Sequence, residues 1–158
     1  MWKKAFVISD AIIDCVQFFR EDKNNWESSD IRSWLNNDFI HQAFTEEETS
    51  KILEVNDDKV SLLSLDEYKQ YFDNHEEARA RFTEYSRRLT EKNLHDKIRE
   101  PYGFWWLRTP NIDGGLGEDG SVYVYHVCQN GTINEFERAK YKDGVRPTMW
   151  IKIDYHHK

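Results

Sequence analysis

Asn111, Asp113, Glu118 and Asp119 set four oxygen donors in one short glycine-rich stretch. Carboxylate and amide oxygens are what a hard cation such as Ca²⁺ takes, but it takes six to eight of them. Their spacing is not that of a known calcium loop. Asp113 and Asp119 are therefore secondary Ca²⁺ candidates, and a solvated hairpin loop is the plainer reading. The same four residues are the first choice for ligand contact, because loops on a rigid scaffold carry function. Tyr123 and Tyr125 follow on one face of a strand, opposite Val122 and Val124. Two tyrosines on an exposed strand face would anchor an interface; a loop or polar helix lying over them would make them part of the interior.

Trp105, Trp106 and Trp150 could stack on sugar rings or bases, but each stands in a strand beside Leu107 or Ile151. Core is the favoured reading, with the three indoles fixing a sheet beneath the loops. Arg108 and Arg146 lie near these tryptophans and near prolines. Either could fork a ligand carboxylate; a buried guanidinium that satisfies loop carbonyls and packs on indole is preferred. His126 stands isolated in the sequence, and His156-His157 has no third ligand in view. There is no Ser-His-Asp order, phosphate loop or metalloprotease pattern. No enzyme and no cofactor are expected.

The elements that would hold these residues change character along the chain. Ala5 to Ile8 reads as a short buried strand. Ser28 or Ser29 offers an N-cap with Asp30 in the first turn, and Ile31, Leu35 and Phe39 follow at helical spacing. Thr45 to Glu48 and Ser64 to Glu67 have the form of capping boxes; Leu63 and Tyr68 stand at the positions of a hydrophobic staple. The first box should start a helix running through Ile52 and Leu53. Val60, Leu62 and Leu63 read as a strand, and His75 to Leu94 as a polar helix broken near Phe82-Thr83. From Pro101 onward glycine is frequent and the helical period disappears. Strands are expected over Phe104 to Leu107, Ser121 to Val127, Thr132 to Phe136 and Thr148 to Ile153, with a hairpin turn at Gln129-Asn130-Gly131. Helices first and hairpins second imply an α+β class: helices packed on a small, mainly antiparallel sheet with a long loop region, in a single domain over residues 1–158.

Composition narrows the partners. Twenty-nine acidic against 22 basic side chains give a formal charge of −7, and no basic stripe interrupts it. The arginines and lysines from Arg79 to Arg99 alternate with acids and read as a solvated helical face, so nucleic acid is an unlikely partner by charge. No apolar run is long enough to span a bilayer. The apolar run after Lys3-Lys4 stops at Asp10, short of a signal-peptide core. With Cys15 and Cys128 as the two cysteines, a reduced, cytoplasmic protein is the simpler expectation, although one disulfide between them is an alternative.

Trp105-Trp106-Leu107-Arg108-Thr109-Pro110 and Gly144-Val145-Arg146-Pro147-Thr148-Met149-Trp150-Ile151, preceded by Phe6 to Asp10 and Ser29 to Asn36, carry a resemblance. In this order they are similar to a bacterial domain family of unknown function with a C-type-lectin-like fold, on the formylglycine-generating-enzyme branch. The family typically has Ser where this chain has Thr109. The resemblance implies a scaffold more than an activity. Lectin-like domains often hold Ca²⁺ in their loops, and in related tail proteins the region between two such motifs, here 111–143, presents variable side chains. The formylglycine-generating relatives use paired cysteines for copper and oxygen; Cys15 and Cys128 sit in no such motif. The resemblance also implies a further N-terminal hairpin that has no counterpart ahead of Phe6, which would leave a strand edge open to a partner or to a second copy. The expectation is a non-catalytic module binding protein through residues 111–143. The alternatives are a glycan-binding lectin-like module, or a phage or mobile-element inhibitor of a bacterial immune-system protein.

Overall fold

The computed structural model describes residues 2–154; His156 and His157 lie outside them. Ser29 Oγ accepts the Arg32 backbone N–H at 3.2 Å and starts helix α1 (Asp30–Trp34). The α repeat then widens to a π-helical turn, Leu35–Phe39, before α2 (Ile40–Ala43). Ile31, Leu35 and Ile40 are buried, whereas Phe39 is half-buried and packs on Trp34 at 5.6 Å. The expected spacing Ile31–Leu35–Phe39 thus fails at its last member, because one residue added to the turn carries Ile40 inward in its place.

Both capping boxes close. Thr45 and Ser64 accept their N3 amides while Glu48 and Glu67 reach back to the N-cap amides, starting α3 (Glu46–Ser50) and α4 (Leu65–Tyr71). Helix α3 stops short of Ile52 and Leu53. These two form strand β3 (Ile52–Leu53) opposite Ile151 and Trp150, where the sheet supplies partners for their backbone and Ile52 is buried. Val60 to Leu63 is not a strand; Ser61 makes a single bridge to Thr148. The stretch read as a broken helix divides into a 3₁₀ turn, His75–Ala78, and α5 (Glu84–Leu94), which Thr83 caps. Between them Phe82 bridges to Ile12.

The strands make two sheets rather than the single small sheet expected. In the first, β1 (Trp2–Ile8) and β3 flank β8 (Thr148–Asp154), with Trp2 opposite Asp154 and Ile8 opposite Thr148. In the second the order is β2 (Asp14–Gln17), β7 (Lys142–Val145), β4 (Trp105–Asn111), β5 (Tyr123–Val127) and β6 (Ile133–Arg138). Between these strands every pairing is antiparallel except β4–β7, a single parallel bridge of Trp105 to Gly144; outside them Ile12 and Phe82 also bridge in parallel. The chain is of the α+β class. Arg146-Pro147 separates β7 from β8: proline supplies no N–H to extend the ladder, and the carbonyl of Pro147 instead accepts Ser9 N–H at 3.0 Å. Trp105 and Trp150 therefore lie in different sheets.

Alternation along β4 sends Trp106 to one face and Trp105 and Leu107 to the other. Trp106 packs with Phe18, Ile31, Leu35, Leu62 and Val124; Trp105 and Leu107 pack with Ile12, Leu63, Ala78 and Val127. All three side chains are fully buried, so the middle of the larger sheet is covered on both faces. The turn after β5 is held by Gly131 at φ +86°, where an added Cβ would meet the His75 carbonyl.

Candidate functional site

The β4–β5 loop begins at Asn111, and the structure corrects the ligand role expected of that residue. Asn111 is buried, its Nδ2 donating to the Glu135 carbonyl at 2.8 Å and its Oδ1 accepting Gly114 N–H at 2.9 Å. Both ends of the amide are spent on fixing the loop to β6. Asp119 accepts the Ser121 amide at 3.1 Å and hydroxyl at 2.5 Å, and pairs with Arg138 at 2.8 Å. The Ser121 hydrogen bonds, helped by the Arg138 charge, hold its carboxyl below the usual aspartate range. Asp113 and Glu118 are exposed. Among the described residues, Asp113, Glu118 and Asp119 belong to no group of acid, histidine or cysteine side chains placed to share an ion. Of the two Ca²⁺ candidates, Asp119 is engaged by Ser121 and Arg138, whereas Asp113 is exposed.

Apolar side chains instead mark this loop. Ile112 is 79% exposed and Leu116 71%, more than any other large hydrophobic residue described. Tyr123 and Phe136, on adjacent strands, meet edge to face at 5.5 Å, with Phe136 exposed. The loop folds back onto them: the Tyr123 hydroxyl lies against Gly117, and Asp119 reaches Arg138, which stands opposite Tyr123 in the β5–β6 register. Tyr125 shares the strand face but is partly sunk against the Trp105 side of the core. Its hydroxyl lies 3.5 Å from Glu135.

A cleft of about 300 Å³ lies between the smaller sheet and the helices, lined by Phe6, Trp26 and Trp150 with Arg32, Asp58, Lys59, Glu67 and Arg108. Trp150 was expected in the core. It is half-buried in this wall, opposite Phe6 in the ladder at 5.0 Å and with Lys4 Nζ 4.8 Å above its ring. Arg108 likewise differs from expectation: it donates to the Leu62 carbonyl at 2.6 Å and pairs with Glu67 rather than packing on indole. Arg146 is the guanidinium that lies on indole, 4.6 Å from the Trp105 ring, donating to the Ser9 carbonyl at 3.0 Å. Burial pulls it down to about 10, against the opposing charge of Asp10.

His126 is not isolated. Its Nδ1 stands 2.6 Å from Asp143 Oδ2 and 3.2 Å from Glu137 Oε2, so three strands converge on one buried cluster. Burial pushes the imidazole pKa down, but the Asp143 hydrogen bond and the charges of Asp143 and Glu137 outweigh it and hold it above the ordinary value. Burial raises both carboxyls, and Glu137 rises further beside Asp143. The ring lies nearly parallel to Phe104 at 5.3 Å. Its Nε2 is buried with no hydrogen-bond partner among the described residues. Cys15 and Cys128 are both free thiols.

Residues 3–58 and 56–153 match the family described as Domain of unknown function (DUF6273). The chain belongs to this family. No curated protein matches it, and no solved structure does. No helix among the described residues of this DUF6273 chain is long and apolar enough to cross a membrane. The His126 cluster of the DUF6273 chain escaped sequence reasoning because positions 126, 137 and 143 form no local motif. The one available signal was three titratable residues in neighbouring strand segments, and it needs the strand order to be read.

Proposed function

We propose that this DUF6273 chain is a non-catalytic protein-binding module on a C-type-lectin-like scaffold, and that it binds through the β4–β5 loop and the adjoining β5–β6 face. What supports the scaffold is the pairing of the first and last strands, with helices and a long loop region held between them. The observation that carries the binding surface is the exposure of Ile112 and Leu116 on a loop that Asn111 and Asp119 brace from beneath. An apolar patch raised on a rigid base and rimmed by acids is the form of a protein contact site. Replacing Ile112 and Leu116 with Asp tests it: capture of partner proteins by the intact chain should be lost while circular dichroism stays unchanged. Capture that survives the change removes this surface. A captured bacterial immune-system protein would support the inhibitor role specifically.

A second reading rests on the cleft. Trp26 and Trp150 beside the Arg32–Asp58 and Arg108–Glu67 pairs offer the apolar faces and oriented polar groups that a sugar ring uses. Indole fluorescence that shifts on glycan addition, and no longer does so in W150A, would favour it. A second copy added at β1, an edge strand of its sheet, is part of the same proposal; a monomeric mass by light scattering would remove it.

A further inference from the structure

His126, Glu137 and Asp143 reach one point from β5, β6 and β7, their ligand atoms all within 4.8 Å of one another. His126 is 2% exposed and Asp143 6%, while the Glu137 side chain keeps 21%. Among the described residues, the one cation whose charge reaches this cluster is Arg138, which acts on Glu137 less than Asp143 and His126 do. Arg138, next along β6, is turned to Asp119, and the nearby thiols of Cys15 and Cys128 are driven toward their neutral form by burial. With both carboxyls ionised, two acids served by one imidazole carry a net charge of −2 with a neutral ring and −1 with a protonated one. Burying uncompensated charge of that kind is strongly unfavourable.

A divalent cation brings the same three groups to neutrality with the imidazole in its ligating, uncharged form. The donor set of one nitrogen and two oxygens suits a borderline ion such as Zn²⁺ at about 2.0–2.2 Å. Ca²⁺ and Mg²⁺ prefer more ligands, and oxygen ones. Two ligands on one such ion stand about 3–4 Å apart, so the Nδ1–Asp143 pair at 2.6 Å must open slightly and the Nδ1–Glu137 pair at 3.2 Å already fits. Phe104 stacks on the ring and keeps Nδ1 toward the acids. The unpaired Nε2 would carry a hydrogen in the ion-bound form, but it would also carry one in the imidazolium, so it does not favour a proton over an ion. The solvent-facing edge of Glu137 gives the ion a path in.

We propose that His126 Nδ1, Glu137 and Asp143 bind one divalent transition-type cation, with Zn²⁺ as the reference ion, in a site that ties β5, β6 and β7 together. The full chain, stripped with chelator, is titrated with Zn²⁺ and separately with Ca²⁺ and Mg²⁺ by calorimetry. The expected result is one Zn²⁺ per chain and a melting temperature raised by about 5–10 °C when free ion exceeds its Kd a hundredfold, with no response to Ca²⁺ or Mg²⁺. D143N and E137Q, which keep shape and hydrogen bonding, should each weaken Zn²⁺ at least tenfold, about the loss typical of altering a metal site. A chain with His156 and His157 changed to Ala should bind as before. Failure of the folded wild-type chain to bind Zn²⁺, or binding that survives D143N and E137Q but vanishes with His156 and His157, overturns the proposal.

Discussion

The polar clusters around Asp58 and around His126 balance their charges differently. Around Asp58, Oδ1 accepts Arg32 Nε at 2.6 Å and Oδ2 accepts Trp26 Nε1 at 3.0 Å. Beside it Asn36 Oδ1 accepts the Lys59 and Val60 backbone N–H groups, and its Nδ2 donates to the Arg32 and Val60 carbonyls. One acid meets one base, and these groups find partners. Around His126, two acids meet one imidazole, and one ring nitrogen has no partner among the described residues. The first cluster is a closed lock between α1 and the 55–60 turn. The second holds an excess of acid, which the proposed cation would offset. The lesson is that burial alone does not mark a functional site; unbalanced charge inside a burial does.

The contrast can be broken by mutation. D58A should cost about 3 kcal/mol, because it leaves the half-buried Arg32 guanidinium and the Trp26 N–H without their acceptor; urea unfolding reads it. E67A should cost about 1–2 kcal/mol, removing the closing half of a capping box and the Arg108 pair together. In metal-free protein, D143N should change stability by less than about 1 kcal/mol, since the amide keeps an acceptor for His126 while relieving like-charge repulsion. A loss as large as that of D58A would erase the distinction between the clusters. Truncating Ile112 and Leu116 to Ala should leave the unfolding midpoint within about 0.5 kcal/mol of wild type, as expected for exposed side chains that serve contact with others.

What the sequence made legible follows the range of the interaction. Ser29, Thr45 and Ser64 announce their helices because a cap is settled within four residues. Asn130-Gly131 announces its turn for the same reason. Ile52 and Leu53 were read as the end of a helix, since nothing nearby reveals that β8, a hundred residues on, offers them a ladder. Trp105 and Trp106 are buried on opposite faces of one strand, which alternation alone foretells; Trp150 differs because its strand belongs to the thinner sheet. Asn111 shows the same limit at the candidate site. A polar side chain at the mouth of a loop looks like a ligand until the strand two hairpins away takes up its amide.

The ladder between β1 and β8 also has a mechanical meaning. Trp2 sits across from Asp154, so both ends of the described chain leave from the same end of the sheet. Tension applied through them would load the cross-strand bonds one after another, peeling them open like a zipper rather than straining the whole row at once. Force on its two ends would thus reach this domain at its most yielding seam, well before the doubly covered middle of the larger sheet.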